Sequence, residues 1–83
     1  MDVNVFYSYS LNERMDLLRT GGEYISRIPF YGYIASLYIY EGSYVEIYYD
    51  RKIQGICHIE LLEHTHQRLN KYAVFVDLYD LYH

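Results

Sequence analysis

The sequence predicts an α+β domain spanning residues 1–83: an N-terminal helix, a four-stranded antiparallel β-meander, and a C-terminal helix packed on one sheet face. Three observations predict it. A helix-opening signature stands at Ser10-Leu11-Asn12-Glu13. From Glu23 to Leu62 tyrosine, isoleucine and valine dominate, broken by turn residues at 29–32, 41–43 and 50–52. From about residue 65 an apolar stripe of helical period returns.

Residues 3–9 alternate in part, which fits a short edge strand or an extended leader equally. Ser10 and Glu13 then match a capping box, in which each side chain satisfies the other's backbone amide. Leu11, Met15 and Leu18 follow on one helical face, and Gly21-Gly22 ends the helix, with one glycine expected in the left-handed region. The expected strands are 23–28, 33–40, 44–49 and 53–61. Their connections are too short for crossover helices, so the sheet must be antiparallel. Leu69, Tyr72, Ala73, Val76 and Tyr79 form a helical stripe. The run 72–76 is rich in strand formers, yet a helix over 65–79 covering the apolar sheet face is the favoured reading.

Register follows from the burial pattern. A three-residue loop at Gly42 pairs odd positions with odd positions and yields one apolar face of Ala35, Leu37, Ile39, Val45, Ile47 and Tyr49. That face continues to Cys57, Ile59 and Leu61, with a bulge at Gly55 to reconcile Ile53 with Ile56. Gly42 then takes a positive φ. The opposite face carries Ser36, Tyr38, Tyr40, Tyr44, Glu46 and Tyr48.

Composition narrows the function. The formal net charge is −4, with seven Lys and Arg scattered along the chain. Nucleic-acid binding draws much of its affinity from basic groups on phosphates, so nucleic acid and anionic membrane surfaces are not expected partners. The acidic, polar start Met1-Asp2-Val3-Asn4 does not read as a signal peptide. One cysteine without such a signal fits the reducing cytoplasm. Apolar residues make up 52% of the chain, but 13 of them are the amphipathic tyrosines. A core this thin favours oligomerisation, so a homodimer is expected.

Three constellations could carry chemistry. His58, Glu60, Glu63, His64 and His66 lie close in sequence, but as solvated residues of an edge strand and helix start they fit better than as ligands converging on zinc. Cys57 beside His58 resembles a nucleophile pair, but parity points the two side chains apart and makes Cys57 a buried structural residue. The acidic pairs Glu13/Asp16, Glu60/Glu63 and Asp77/Asp80 read as solvated faces, because paired-carboxylate catalysis needs a cleft. No cofactor, metal or catalytic residue is implied.

The tyrosine face remains. Cross-strand aromatic pairs account for two or three tyrosines. With Tyr31 nearby there are five, which suggests an interface, where tyrosine buries area and still finds hydrogen bonds. The expected partner-binding residues are Tyr38, Tyr40, Tyr44, Glu46 and Tyr48, in a non-enzymatic module that self-associates or docks on another protein. The alternative is a small-ligand domain with a pocket between the sheet and the C-terminal helix.

The opener Ser10-Leu11-Asn12-Glu13, then Leu37-Tyr38, Val45-Glu46-Ile47-Tyr48-Tyr49, Ile53 with Ile56, and Leu69 with Tyr72 resemble a group of short bacterial proteins of no assigned activity. The resemblance covers about residues 10–80 and implies helix, meander, helix. Gly21-Gly22 departs from its pattern.

Overall fold

The computed structural model describes residues 2–72. Two helices lead: α1 over Val3–Ser8 and α2 over Leu11–Gly21. The strands β1 (Glu23–Phe30), β2 (Tyr33–Tyr40), β3 (Ser43–Asp50) and β4 (Gly55–Leu62) form one antiparallel sheet in the order β1-β2-β3-β4. Residues 68–72 are again helical. The α+β meander is therefore as the sequence predicts, and Leu69 and Tyr72 pack on the sheet. Residues 73–79 of the expected C-terminal helix lie outside the described residues.

Residues 3–8 are helical rather than extended. Asp2 caps α1 by accepting from the Asn4 amide at 2.9 Å. At six residues α1 is too short to persist alone. Burial of Phe6 and the side chain of Arg14 hold it. The Arg14 guanidinium donates to the carbonyls of Phe6 (3.3 Å) and Tyr7 (3.1 Å) and across to that of Ile59 on β4 (3.0 Å). It also lies 4.9 Å from the Tyr7 ring centroid. The Leu61 amide donates to the Tyr7 hydroxyl at 2.9 Å. Together these bonds occupy part of the outer edge of β4, where an unpaired strand invites another chain.

The capping box of α2 is present. The Glu13 amide donates to Ser10 Oγ at 3.2 Å, and the Ser10 amide to Glu13 Oε1 at 2.8 Å. The Ser10 amide, and after it the Ser10 hydroxyl, hold the Glu13 carboxyl below its usual pKa. The helix does not end on a left-handed glycine, since Gly22 has φ −88°. Close approach explains Gly22 instead: a Cβ there would stand 2.6 Å from the Leu18 carbonyl oxygen.

The expected register is corrected by the turns. Tyr40 pairs with Ser43, leaving a two-residue loop in which Glu41 (φ 48°) and Gly42 (φ 76°) both adopt positive φ. Tyr31 and Gly32 repeat the pattern between β1 and β2. Such primed turns match the twist of the flanking strands. Odd residues of β2 therefore face even residues of β3: Ala35 opposite Tyr48, Leu37 opposite Glu46, Ile39 opposite Tyr44. Gly42 does take the positive φ expected of it.

The consequence is two apolar faces rather than one. Val45, Ile47 and Ile59 are buried with Phe6 and Leu18, and Leu11, Met15, Tyr38 and Tyr40 pack around them beneath the helices. Ile28, Ala35, Leu37 and Leu62 are buried with Tyr72 on the other face. Fully burying a large apolar side chain contributes roughly 1.5–3 kcal/mol, so both layers are needed in so short a chain. The β4 offset falls at Cys57, not Gly55: Tyr48 pairs with His58 and Tyr49 with Ile56. Cys57, left between them, is exposed rather than buried.

Candidate functional site

The site is built on β3. Tyr44, Glu46 and Tyr48 alternate onto the face that residues 68–72 cover. Glu46 sits at the centre of the sheet, opposite Leu37 on β2 and opposite Glu60 on β4. It is 0% exposed, the one charged residue buried among the described residues.

Burying a carboxylate costs several kcal/mol unless hydrogen bonds replace its water. Here four do. Arg68 Nε lies 2.9 Å from one Glu46 oxygen and 3.2 Å from the other. The Tyr48 hydroxyl donates to Oε1 and the Tyr72 hydroxyl to Oε2, each at 2.8 Å. Among the described residues no buried side-chain nitrogen or oxygen lacks a partner. Burial, and then the bond to Glu46 and its charge, push the Tyr48 and Tyr72 hydroxyls well above the ordinary tyrosine range.

The network continues outward. Arg68 Nη2 donates to Glu60 Oε1 at 3.1 Å, and His58 Nε2 lies 3.0 Å from Glu60 Oε2. His58 therefore contacts Glu60 along its own strand, as parity predicts. His64 packs on the Tyr44 ring at 5.5 Å, and His66 Nδ1 accepts from the Arg68 amide at 3.1 Å. Among the described residues no group of three or more His, Cys, Asp or Glu is placed to hold a metal. Asp77 and Asp80 lie outside the described residues. Asp16 pairs with Arg19 at 3.3 Å on the exposed face of α2.

Beside this network lies an open cleft of about 340 Å³, lined by Phe30, Tyr33, Tyr48, Cys57 and His58. Its rings touch one another through Tyr48: Phe30 at 6.0 Å, Tyr33 at 6.1 Å and His58 at 5.9 Å between centroids. Cationic groups lie over the Phe30 ring, Arg68 at 5.6 Å and Lys71 at 5.1 Å. Cys57 Sγ lies 3.6 Å from the Tyr48 carbonyl oxygen.

The five residues expected to share a surface are divided between two faces. Tyr38 and Tyr40 lie on the helix-covered side. Tyr38 meets the Tyr24 ring edge-on at 5.6 Å. Tyr40 packs against Gly21, and burial, then the charge of Glu41, raises its hydroxyl pKa. Tyr44, Glu46 and Tyr48 keep a common face, but Glu46 is sealed from solvent. The aromatic surface instead runs through Phe30, Tyr31, Tyr33 and Tyr48, and the polar part of the site adds Arg68 and Tyr72. The spacing of Arg68 and Tyr72, one helical turn apart, was the available signal for that second pair.

No protein-family model, curated protein or solved structure matches the chain. The functional reading therefore rests on these residues themselves.

Proposed function

We propose that the protein is a small, non-enzymatic interaction module whose contact surface is the aromatic end of the sheet around Phe30, Tyr31, Tyr33 and Tyr48. One observation carries this reading. Phe30, Tyr33 and Tyr48 from three adjacent strands line an open cleft, and Tyr31 in the turn, edge-on to the Phe30 ring at 4.8 Å, is 87% exposed. Exposed aromatic clusters of this kind mark contact sites, and tyrosine serves them well because it is rigid and carries a hydroxyl. The polar groups nearby are engaged with one another: Glu46, Glu60, Arg68 and both tyrosine hydroxyls. That arrangement positions the rings and leaves those groups in structural bonds.

Self-association is the first form of the reading and docking on another protein the second. The test is Tyr31→Ser with Tyr33→Ser, followed by light scattering and by co-purification from the native cell. Association should fall at least tenfold while the far-ultraviolet spectrum is unchanged. An unaltered dimer or an unaltered set of bound proteins would refute the surface. The free thiol of Cys57 is consistent with a reducing compartment, so the reading places the protein in the cytoplasm, and cell fractionation that finds it outside would contradict this.

A second reading is favoured by the cleft alone. Its volume falls within the roughly 300–1,000 Å³ of small-molecule sites. Amide-resonance shifts confined to Phe30, Tyr48 and His58 on adding aromatic fragments would support it, and silence across a fragment set would count against it.

A further inference from the structure

We propose that α1, latched by Arg14, is an edge guard: the side chains of Arg14 and Tyr7 stand in for a fifth strand on β4 and keep a second copy of this chain from adding there. The guarded edge is independent of the aromatic contact surface.

β4 is the last strand of the sheet, and among the described residues no strand lies on its outer side. Alternation along an antiparallel strand turns the backbone groups of every second residue outward. On β4 these include the Ile59 carbonyl and the Leu61 amide. A neighbouring strand would offer an N–H to the first and a carbonyl oxygen to the second. Two side chains do so instead. Arg14 Nη1 donates to the Ile59 carbonyl at 3.0 Å, and the Tyr7 hydroxyl accepts from the Leu61 amide at 2.9 Å. Arginine carries only donors and a tyrosine hydroxyl can accept, so each suits the group it meets. The same guanidinium donates to the carbonyls of Phe6 and Tyr7, which ties α1 to the place it guards. Little else does. Of α1 only Phe6 is buried, while Val3, Val5 and Tyr7 stay exposed. Elements with so few buried contacts are the ones that open first.

The excluded occupant is a second copy because β4 is self-complementary. Two β4 strands paired antiparallel about a two-fold axis at Ile59 continue both sheet faces and make an isologous seam. His58 then falls opposite Glu60 of the other copy, twice. The two residues share a face and already meet at 3.0 Å within one strand. An imidazole donor across from a carboxylate favours such a pair, whereas like charges would oppose it. Ile59 meets Ile59 on the axis, and its carbonyl is the group that Arg14 occupies. Bare, this row of backbone groups is a template for pairing, and a charged side chain set on it is a means of refusal.

The test uses the full chain carrying Tyr31→Ser and Tyr33→Ser, so that association through the aromatic surface does not contribute. Into this background go Tyr7→Phe and Arg14→Met, which keep the ring and the apolar stem but remove the acceptor and the donor. Sedimentation equilibrium should show self-association at least tenfold tighter than in the background. Exchange of the Leu61 amide should slow as protein concentration rises, because that amide becomes an interstrand donor. A folded variant that stays as monomeric as the background overturns the guard. Association without protection of the Leu61 amide overturns β4 as the seam. If circular dichroism shows the combined variant unfolded, Tyr7→Phe alone in the same background decides. Its Leu61 amide should gain protection with concentration, and exchange that is independent of concentration overturns the guard.

Discussion

Arg68 closes on Glu46, its Nε 2.9 Å and 3.2 Å from the two oxygens of a carboxylate that has no exposure to solvent. The contact joins the middle of the sheet to a segment 22 residues later in the chain. It orients Tyr48, whose ring is shared with the aromatic cleft. Stability and the shape of the candidate contact surface are thus coupled through one buried carboxylate.

Alkaline pH should expose that coupling. Tyr48 and Tyr72 have folded-state pKa values raised above the unfolded value of about 10. Above pH 10 the unfolded chain releases protons that the folded chain retains, so the folded state is progressively disfavoured. Their contribution is complete below pH 10 and is lost progressively as pH rises beyond it. Absorbance at 295 nm should show these two tyrosines ionising only as the far-ultraviolet signal is lost. Tyr72→Phe should flatten the alkaline slope. Ionisation of all 13 tyrosines before unfolding would contradict the network.

Two glycines should respond differently to alanine. At Gly22 the added methyl meets the Leu18 carbonyl oxygen at 2.6 Å, and a backbone atom cannot step aside cheaply. Gly22→Ala should cost about 2–3 kcal/mol in urea unfolding. At Gly42 the space is open and only the positive φ resists, so Gly42→Ala should cost about 1–2 kcal/mol. The reverse order would show that the α2–β1 junction is not packed as described.

Arg14→Ala removes three hydrogen bonds from a charged donor at once. A loss of about 2–3 kcal/mol is expected, with amide exchange rising first in α1 and along β4 near Ile59 and Leu61. Protection in α1 that survives the substitution would mean Phe6 alone anchors that helix.

Much of the fold is legible in the sequence because its signals are local. The capping box at Ser10 and Glu13 lies within one helical turn, and strand spacing follows from turn residues. The register is not local. Parity favours a three-residue loop only if one sheet face must be apolar and the other wet, and here both faces are covered. Glu41, with φ 48°, sits where Asn, Asp or Gly would have announced a two-residue turn. Helix α1 reads as extended because its stabilising partner, Arg14, lies beyond its own end. Glu46 between Tyr44 and Tyr48 looks like a solvated position because its counter-ion is Arg68, distant in sequence. Of the expected contact residues, Tyr44, Glu46 and Tyr48 do share a face. Tyr38 and Tyr40 fall on the other because of that one-residue difference in the turn.

A double-mutant cycle on Glu46→Gln and Arg68→Met, read by urea unfolding, tests the pairing most directly. Each single variant should lose about 2–4 kcal/mol, since each strands the groups its partner satisfied. The double variant should be little worse than the more damaging single, giving a coupling energy of about 1–3 kcal/mol. Losses that add to within about 0.5 kcal/mol would contradict a buried Glu46 held by Arg68.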